Sequence, residues 1–301
     1  MYSPSDFVLD WHTIASLTPG PRLIITGGVH GIELCGTKAI WRFQAELAAG
    51  QHQLACGQLT LLAQCNPMAA RLGRREGEGD LNRQLRLHDD PRSYEAHLAN
   101  LLCPLLLQHE VILDLHSFQS EGPPFAVIGP GEPFLGAADE IRMAKHLGVS
   151  HAVEGAAIST PVPLLADTGA STVNFMRANG RFGVTLECGQ HQDPQSEVRA
   201  YQAILHCLAH FGLLERAVAK TPTMTSVRFA ETILRRAKED RFVKPWQSFD
   251  AVAAGELVAV FADGEALHAP RDGYVLFPDP LAKVGTEWVY FADGGSRFHG
   301  S

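Results

Sequence analysis

Over roughly the first 210 residues, short and nearly continuous apolar runs alternate with amphipathic stretches. Apolar runs of that kind suit strands covered on both faces, and their alternation with helical periods marks an α/β unit. The predicted strands are Arg22–Thr26, Leu59–Cys65, Val111–Leu115, Phe125–Ile128 and Gly183–Leu186. Glu33–Ala49 reads as a helix closed by Gly50 in the C′ position. Asp90 followed by Pro91 reads as an N-cap and a first helical residue. Leu98, Leu101, Leu102, Leu105 and Leu106 then recur as one buried face, with Pro104 predicting a kink or an early end. Asp193–Pro194 opens a further helix that runs to about Phe211.

The texture changes after about Leu214. Thr225–Ala230, Leu257–Phe261, Gly273–Phe277 and Glu287–Phe291 are β-like and separated by turn-rich pieces, Ala262–Gly264 and Pro278–Pro280 among them. Glu231–Glu239 alone has a helical reading there. The division expected is residues 1–214 as an α/β domain and 215–301 as a small all-β domain.

Composition narrows the class. Hydrophobic residues at 46% of 301 positions can bury a sizeable core, and charged residues at 19%, without blocks of like charge, argue against long disorder. No apolar run approaches the ~18 residues of a membrane span, and the start lacks a basic stretch followed by an apolar one. The chain therefore reads as soluble and cytoplasmic, with no membrane partner. A net charge of −8 disfavours a general nucleic-acid binder. Six scattered cysteines without a C-x-x-C pair resemble reduced thiols rather than a disulfide framework. Fourteen histidines prompt a search for a metal site.

Three strand ends carry polar residues that a packed core would not place there. After Arg22–Thr26 comes Gly27-Gly28-Val29-His30-Gly31-Ile32-Glu33. A His and a Glu three apart, on a glycine turn leading into a helix, can converge on one cation. H-x-x-E alone is weak, and its second copy, His151 to Glu154, is read as a chance match. Asp114-Leu115-His116-Ser117 ends a second strand, at the carboxyl end where open α/β sheets bind ligands. Two His and one Glu form the open zinc triad of several metallohydrolases. Asp114 can accept a hydrogen bond from the N–H of a ligand histidine, and the sequence does not say which one. Third is Val184-Thr185-Leu186-Glu187-Cys188-Gly189. Glu187 beside a metal suits a general base, since desolvation raises its pKa towards the working range. The alternative is a buried Glu satisfied by an arginine or a backbone amide. Cys188 reads as a core thiol.

Residues 71–86 hold five arginines, Arg71, Arg74, Arg75, Arg83 and Arg86, inside an acidic chain. Arginine offers a planar fork to a carboxylate, so this segment can hold an anionic substrate. Glu76, Glu78 and Asp80 can equally neutralise it within a solvated loop.

Taken together, GGVHGIE, NPMAARLGRREGEGDLNR, DLHS and VTLECG resemble the succinylglutamate desuccinylase/aspartoacylase family, zinc amidohydrolases related to the carboxypeptidase A-type metallopeptidases. The resemblance covers about residues 20–215 and, more loosely, the C-terminal stretch containing ALHAPRDGYVLF. Ile32 stands where Asn is more usual, Ser117 where Thr is, and ECGQ where ELGK or EVGP is common. The fold implied is α/β and zinc carboxypeptidase-like: a mixed central sheet with helices on both faces, plus the small C-terminal β domain. Also implied are His30, Glu33 and His116 on one zinc ion and Glu187 as general base and acid. Arg75 would polarise the scissile carbonyl, and Asn82 with Arg83 would grip a substrate carboxylate. By spacing from Glu187, Arg177 would meet a second carboxylate.

The function expected is therefore zinc-dependent hydrolysis of a small carboxylate-bearing N-acyl amino acid or related amide. A homo-oligomer is compatible with everything read here. The rivals are a metallocarboxypeptidase acting on short peptides and a non-catalytic metal- or ligand-binding protein. No G-x-S-x-G, G-x-x-x-x-G-K-[ST] or G-x-G-x-x-G occurs, which disfavours a serine hydrolase and a nucleotide site. The C-terminal segment is expected to shape the site without supplying metal ligands.

Overall fold

The structure, a computed structural model, describes residues 8–130, 135–155, 170–218, 220 and 223–298. Its strands are β1 (Trp11–Ala15), β2 (Arg22–Thr26), β3 (Gln58–Leu62), β4 (Val111–Phe118), β5 (Phe125–Ile128), β6 (His151–Glu154) and β7 (Phe182–Gln190). The C-terminal part adds β8 (Thr225–Leu234), β9 (Arg241–Phe242), β10 (Ala251–Val252), β11 (Leu257–Val260), β12 (Ala266–His268), β13 (Gly273–Leu276) and β14 (Glu287–Gly294). β2 and β5 span the residues expected of them. β4 and β7 run several residues further, and that extra length carries the polar residues of the site.

Helix ends follow side-chain chemistry. α1 (Leu34–Ala48) ends just before Gly50, whose φ of 72° is left-handed. The short α2 (Pro67–Leu72) is capped by Asn66, which accepts from the Ala69 N–H at 3.1 Å. α3 (Tyr94–Leu106) starts later than expected, because Ser93 rather than Asp90 is the N-cap, accepting from the Ala96 N–H at 3.2 Å. Asp90 is instead occupied by Arg92 at 2.8 Å. Leu101 departs from the expected buried face and is 45% exposed. Pro104 lies in the last turn of α3, where little of the helix remains to be disrupted. α4 (Ala137–His146) and α5 (Thr172–Ala178) precede α6 (Pro194–His210), which Asp193 caps as expected through the Gln195 N–H at 2.9 Å.

Eleven strands form one sheet in the order β1-β3-β2-β4-β7-β5-β6-β8-β14-β13-β10. β3, β2, β4 and β7 are mutually parallel, whereas β5 runs antiparallel to β7, making the sheet mixed. Alternate residues serve opposite faces. Leu23 and Ile25 of β2 pack with α1, α4 and α6, while Ile24 packs with α3 and α5.

After Leu214 the described residues form strands and turns, as expected, but they are joined to the sheet. β8 pairs in parallel with β6, and β14, β13 and β10 then continue the sheet antiparallel. A separate antiparallel sheet holds β12, β11 and β9. The helical reading of Glu231–Glu239 fails, because β8 continues to Leu234 and a turn follows. Asp240 closes that turn by accepting the Arg236 and Ala237 N–H groups, each at 2.7 Å. No helix among the described residues is long and apolar enough to cross a membrane.

Candidate functional site

The sheet itself gathers the site. From β2 the chain returns through α1 to β3 on one side, while β4 lies on the other, so the sheet order diverges at the carboxyl end of β2. Such a divergence leaves a crevice where open α/β sheets bind ligands. The loop Gly27–Glu33 fills it. Gly28 has a φ of 61°, and a Cβ on Gly31 would sit 2.1 Å from the backbone carbon of Ala69. Neither position tolerates a side chain, so the glycines that flank His30 are geometric requirements.

His30, Glu33 and His116 converge there, all three buried, with candidate ligand atoms within 4.8 Å of one another. His30 Nδ1 lies 2.7 Å from Glu33 Oε1, and His116 Nδ1 lies 2.8 Å from Glu33 Oε2. Each histidine therefore turns Nδ1 inward. Each Nε2 is backed by a carboxylate: Asp80 Oδ1 at 3.1 Å from His30, and Asp114 Oδ2 at 2.8 Å from His116. Asp114 is held in turn by the hydroxyls of Thr26, at 2.7 Å, and Thr172. This answers which histidine Asp114 serves. It also brings in Asp80, which the sequence offered only as a neutraliser of arginines.

Two imidazoles and a carboxylate, with outer carboxylates on both imidazoles, fit a divalent ion. The electrostatics agree. Burial disfavours a charged His116, yet Asp114 and Glu33 hold its pKa well above the usual histidine range. Burial likewise raises the carboxyl of Glu33, but His30 and His116 override it and hold Glu33 well below the usual carboxylate range. The pocket is arranged for positive charge.

Glu187 stands beside His116 in the β4–β7 register, and both line one cavity of about 490 Å³. Its Oε2 is buried and has no hydrogen-bond partner among the described residues. Burial pushes this carboxyl up to about 7, against the pull of His116. Thus the expected alternative, a Glu satisfied by an arginine or amide, does not describe that oxygen. Cys188 is buried, as expected of a core thiol, and none of the six cysteines is paired.

The arginine segment divides. Arg75 donates to Glu33 Oε1 at 3.1 Å and lies 3.5 Å from Asp80 Oδ2, placing one guanidinium at the edge of the cluster. The loop behind it is shaped by buried Glu95, which accepts the backbone N–H groups of Gly77, Glu78 and Gly79 at 3.0–3.2 Å. Asn82 and Arg83 lie in a single 3-10 turn, Leu81–Arg83, capped by Asp80. Asn82 Oδ1 accepts from the Thr172 N–H at 3.2 Å, and Arg83 meets Glu287 at 3.3 Å. Arg75, Asn82 and Arg83 all line the cavity.

Arg177 lines the cavity too, but its guanidinium is engaged. It donates to both oxygens of fully buried Glu140, at 2.7 and 3.1 Å, to Asn174 at 2.7 Å and to the Gly183 carbonyl at 3.2 Å. The expectation that it meets a second carboxylate runs against these bonds. His151 and Glu154 lie away from the cluster on β6, where Glu154 accepts from Ser226 at 2.7 Å. Neither belongs to the candidate metal cluster found among the described residues. His191, which the sequence did not single out, also lines the cavity. So do Phe277, Asp279, Lys283, Glu287 and Tyr290, through which the C-terminal strands wall the site, while the ligand cluster lies entirely within residues 30–116.

Comparison with known proteins agrees with this geometry. Residues 19–211 match the model of the succinylglutamate desuccinylase/aspartoacylase catalytic domain. An N-alpha-acetyl-L-2,4-diaminobutyric acid deacetylase from Halomonas elongata is 27% identical over 215 residues. That alignment takes in 67% of this chain and 58% of the relative, so the chain spans less than two thirds of that protein's length. In fold, the chain is similar to the product-bound ectoine utilization protein EutE (DoeB) from Ruegeria pomeroyi, with a TM-score of 0.76, 22% identity, and coverage of 94% of this chain and 88% of that one. A succinylglutamate desuccinylase/aspartoacylase from Rhodobacter sphaeroides gives a TM-score of 0.73 at 19% identity, covering 96% of this chain and 89% of that one. The family match spans well over half of the chain and holds all three residues of the cluster together with Glu187. The chain belongs to the succinylglutamate desuccinylase/aspartoacylase family.

Proposed function

We propose that this protein is a zinc-dependent amidohydrolase of the cytoplasm, cleaving the amide bond of a small carboxylate-bearing N-acyl amino acid or a related amide. The observation that carries the reading is the unpartnered, buried Oε2 of Glu187 beside the His30, Glu33 and His116 cluster. A buried acceptor left without a partner costs stability, and such groups point to a working role or an ordered water. Six free thiols fit a reducing compartment.

His30, Glu33 and His116 would hold the zinc, and Lewis acidity towards a carbonyl and a water molecule is what it supplies when bound. Glu187 takes the proton of the attacking water and returns it to the leaving amine. Arg75 donates to the carbonyl oxygen as negative charge develops there. Asn82 and Arg83 hold the substrate carboxylate, the arginine through its planar fork. Arg177 has no part in this scheme, because its guanidinium already serves Glu140. The name of the Halomonas relative gives that protein an N-acetylated amino acid as substrate, the class proposed here.

A panel of N-acetyl and N-succinyl amino acids, assayed beside short peptides, tests the proposal. Turnover of at least one acyl amino acid well above every peptide is expected, whereas a preference for peptides would make the protein a carboxypeptidase. Arg83→Ala should then lose about 30-fold in kcat/KM on the carboxylate substrate, the lower end of the ~2–5 kcal/mol for truncating one partner of a charge pair. On the corresponding primary amide or methyl ester the loss should stay within about threefold. Equal losses on both would remove Arg83 as the carboxylate clamp.

A further inference from the structure

We infer that His191 is a substrate-binding residue of this site, held by Ser117 so that its second ring nitrogen meets a polar oxygen of the substrate. Nothing in the scheme above uses His191. It follows β7 directly, four positions after Glu187, and shares the cavity with Glu187, Arg75 and Asn82. Its position is fixed twice. The backbone N–H donates to the Phe118 carbonyl at 3.0 Å, and Nδ1 lies 2.8 Å from Ser117 Oγ.

Ser117 is itself tied to the cluster, its backbone N–H donating to Glu33 Oε2 at 3.3 Å. The imidazole is thereby referenced to Glu33 through one residue. Among the described residues no protein group hydrogen-bonds its Nε2, which is not one of the buried unpartnered atoms, and the residue lines the cavity. A ring with one nitrogen anchored and the other open is a preorganised hydrogen-bonding group, and it adds affinity because little freedom remains to be lost on binding. A polar oxygen of an N-acyl amino acid, in its acyl or carboxylate group, is the partner this geometry suits.

The inference rests on the hydrolase reading, and substitution chemistry separates the two. Asparagine places its amide nitrogen near Nδ1 of a histidine, whereas glutamine places it near Nε2. His191→Asn keeps the group that faces Ser117 and loses the one that faces the cavity. It is expected to raise KM about tenfold on the best acyl amino acid, with kcat lowered less than threefold and metal content unchanged. His191→Gln is expected to recover most of that loss in KM. Steady-state kinetics of the wild type and both variants, each checked for bound metal, reads the outcome. Equal losses in the two variants, recovery by Asn rather than Gln, or no rise in KM in either would each overturn the role of His191. A wild type that turns over no acyl amino acid would overturn the hydrolase reading, and this inference with it.

Discussion

His116→Ala is expected to lose bound metal and hydrolase activity together, with activity falling to background. The residue offers one of three inward-facing candidate ligand atoms, and its ring is clamped between Glu33 and Asp114, each at 2.8 Å. Removing only an outer partner of a metal-ligating histidine typically costs about 10–100-fold in metal affinity, so removing the ligand itself should cost more. The substitution also leaves Asp114 and Glu33, both buried, without the imidazole that compensates them. Thermal denaturation should accompany the metal analysis for that reason. His151→Ala is the control: His151 packs against Phe249, with ring centroids 4.7 Å apart, and should lose neither metal nor activity. Full metal content in a folded His116→Ala protein would end the ligand assignment.

Glu187→Gln is expected to keep the metal and the fold while losing about 10²–10⁴-fold in kcat, the usual scale for a positioned general base. Glutamine nearly conserves the shape of the side chain and cannot accept the proton of the attacking water. It also removes a carboxylate whose burial disfavours its charged form, so the fold should not suffer. Retention of metal separates this variant from His116→Ala. Turnover within a few-fold of wild type in a folded, metal-loaded Glu187→Gln protein would return Glu187 to a structural role.

Much of the site was legible because its residues sit in contiguous stretches at strand ends. A glycine turn with H-x-x-E, a strand ending in Asp-Leu-His and another ending in Glu are local patterns, and each is positioned by its own strand. What escaped depends on distant partners. Asp80 meets His30 across 50 positions, and Ser117 meets His191 across 74. No periodicity records such pairs. Arg177 shows the converse: its spacing from Glu187 suggests a substrate contact, but nothing in that spacing records the bonds its guanidinium makes to Glu140, 37 positions away.

The fold was legible to a similar depth. β2 and β5 announced themselves as apolar runs, whereas β1 is mostly exposed and β6 has only two apolar residues, Ala152 and Val153, between His151 and Glu154. Apolar patterning carries little signal in either case. That the C-terminal strands continue the central sheet is fixed by the parallel pairing of His151–Glu154 with Thr225–Arg228, a long-range choice that local patterning does not specify. The helical reading of Glu231–Glu239 failed for a related reason: pairing with β14 draws the residues up to Leu234 into a strand, overriding a weak helical period.

Removing the metal probes whether the cluster of His30, Glu33 and His116 serves metal-dependent deacylation. Turnover of the best N-acyl amino acid should be measured on the purified protein, after exhaustive chelation, and after zinc is returned in stoichiometric amount. One zinc per chain is expected at the start, activity at background once the metal is gone, and recovery in proportion to zinc restored. Undiminished turnover in the metal-free protein would contradict metal dependence.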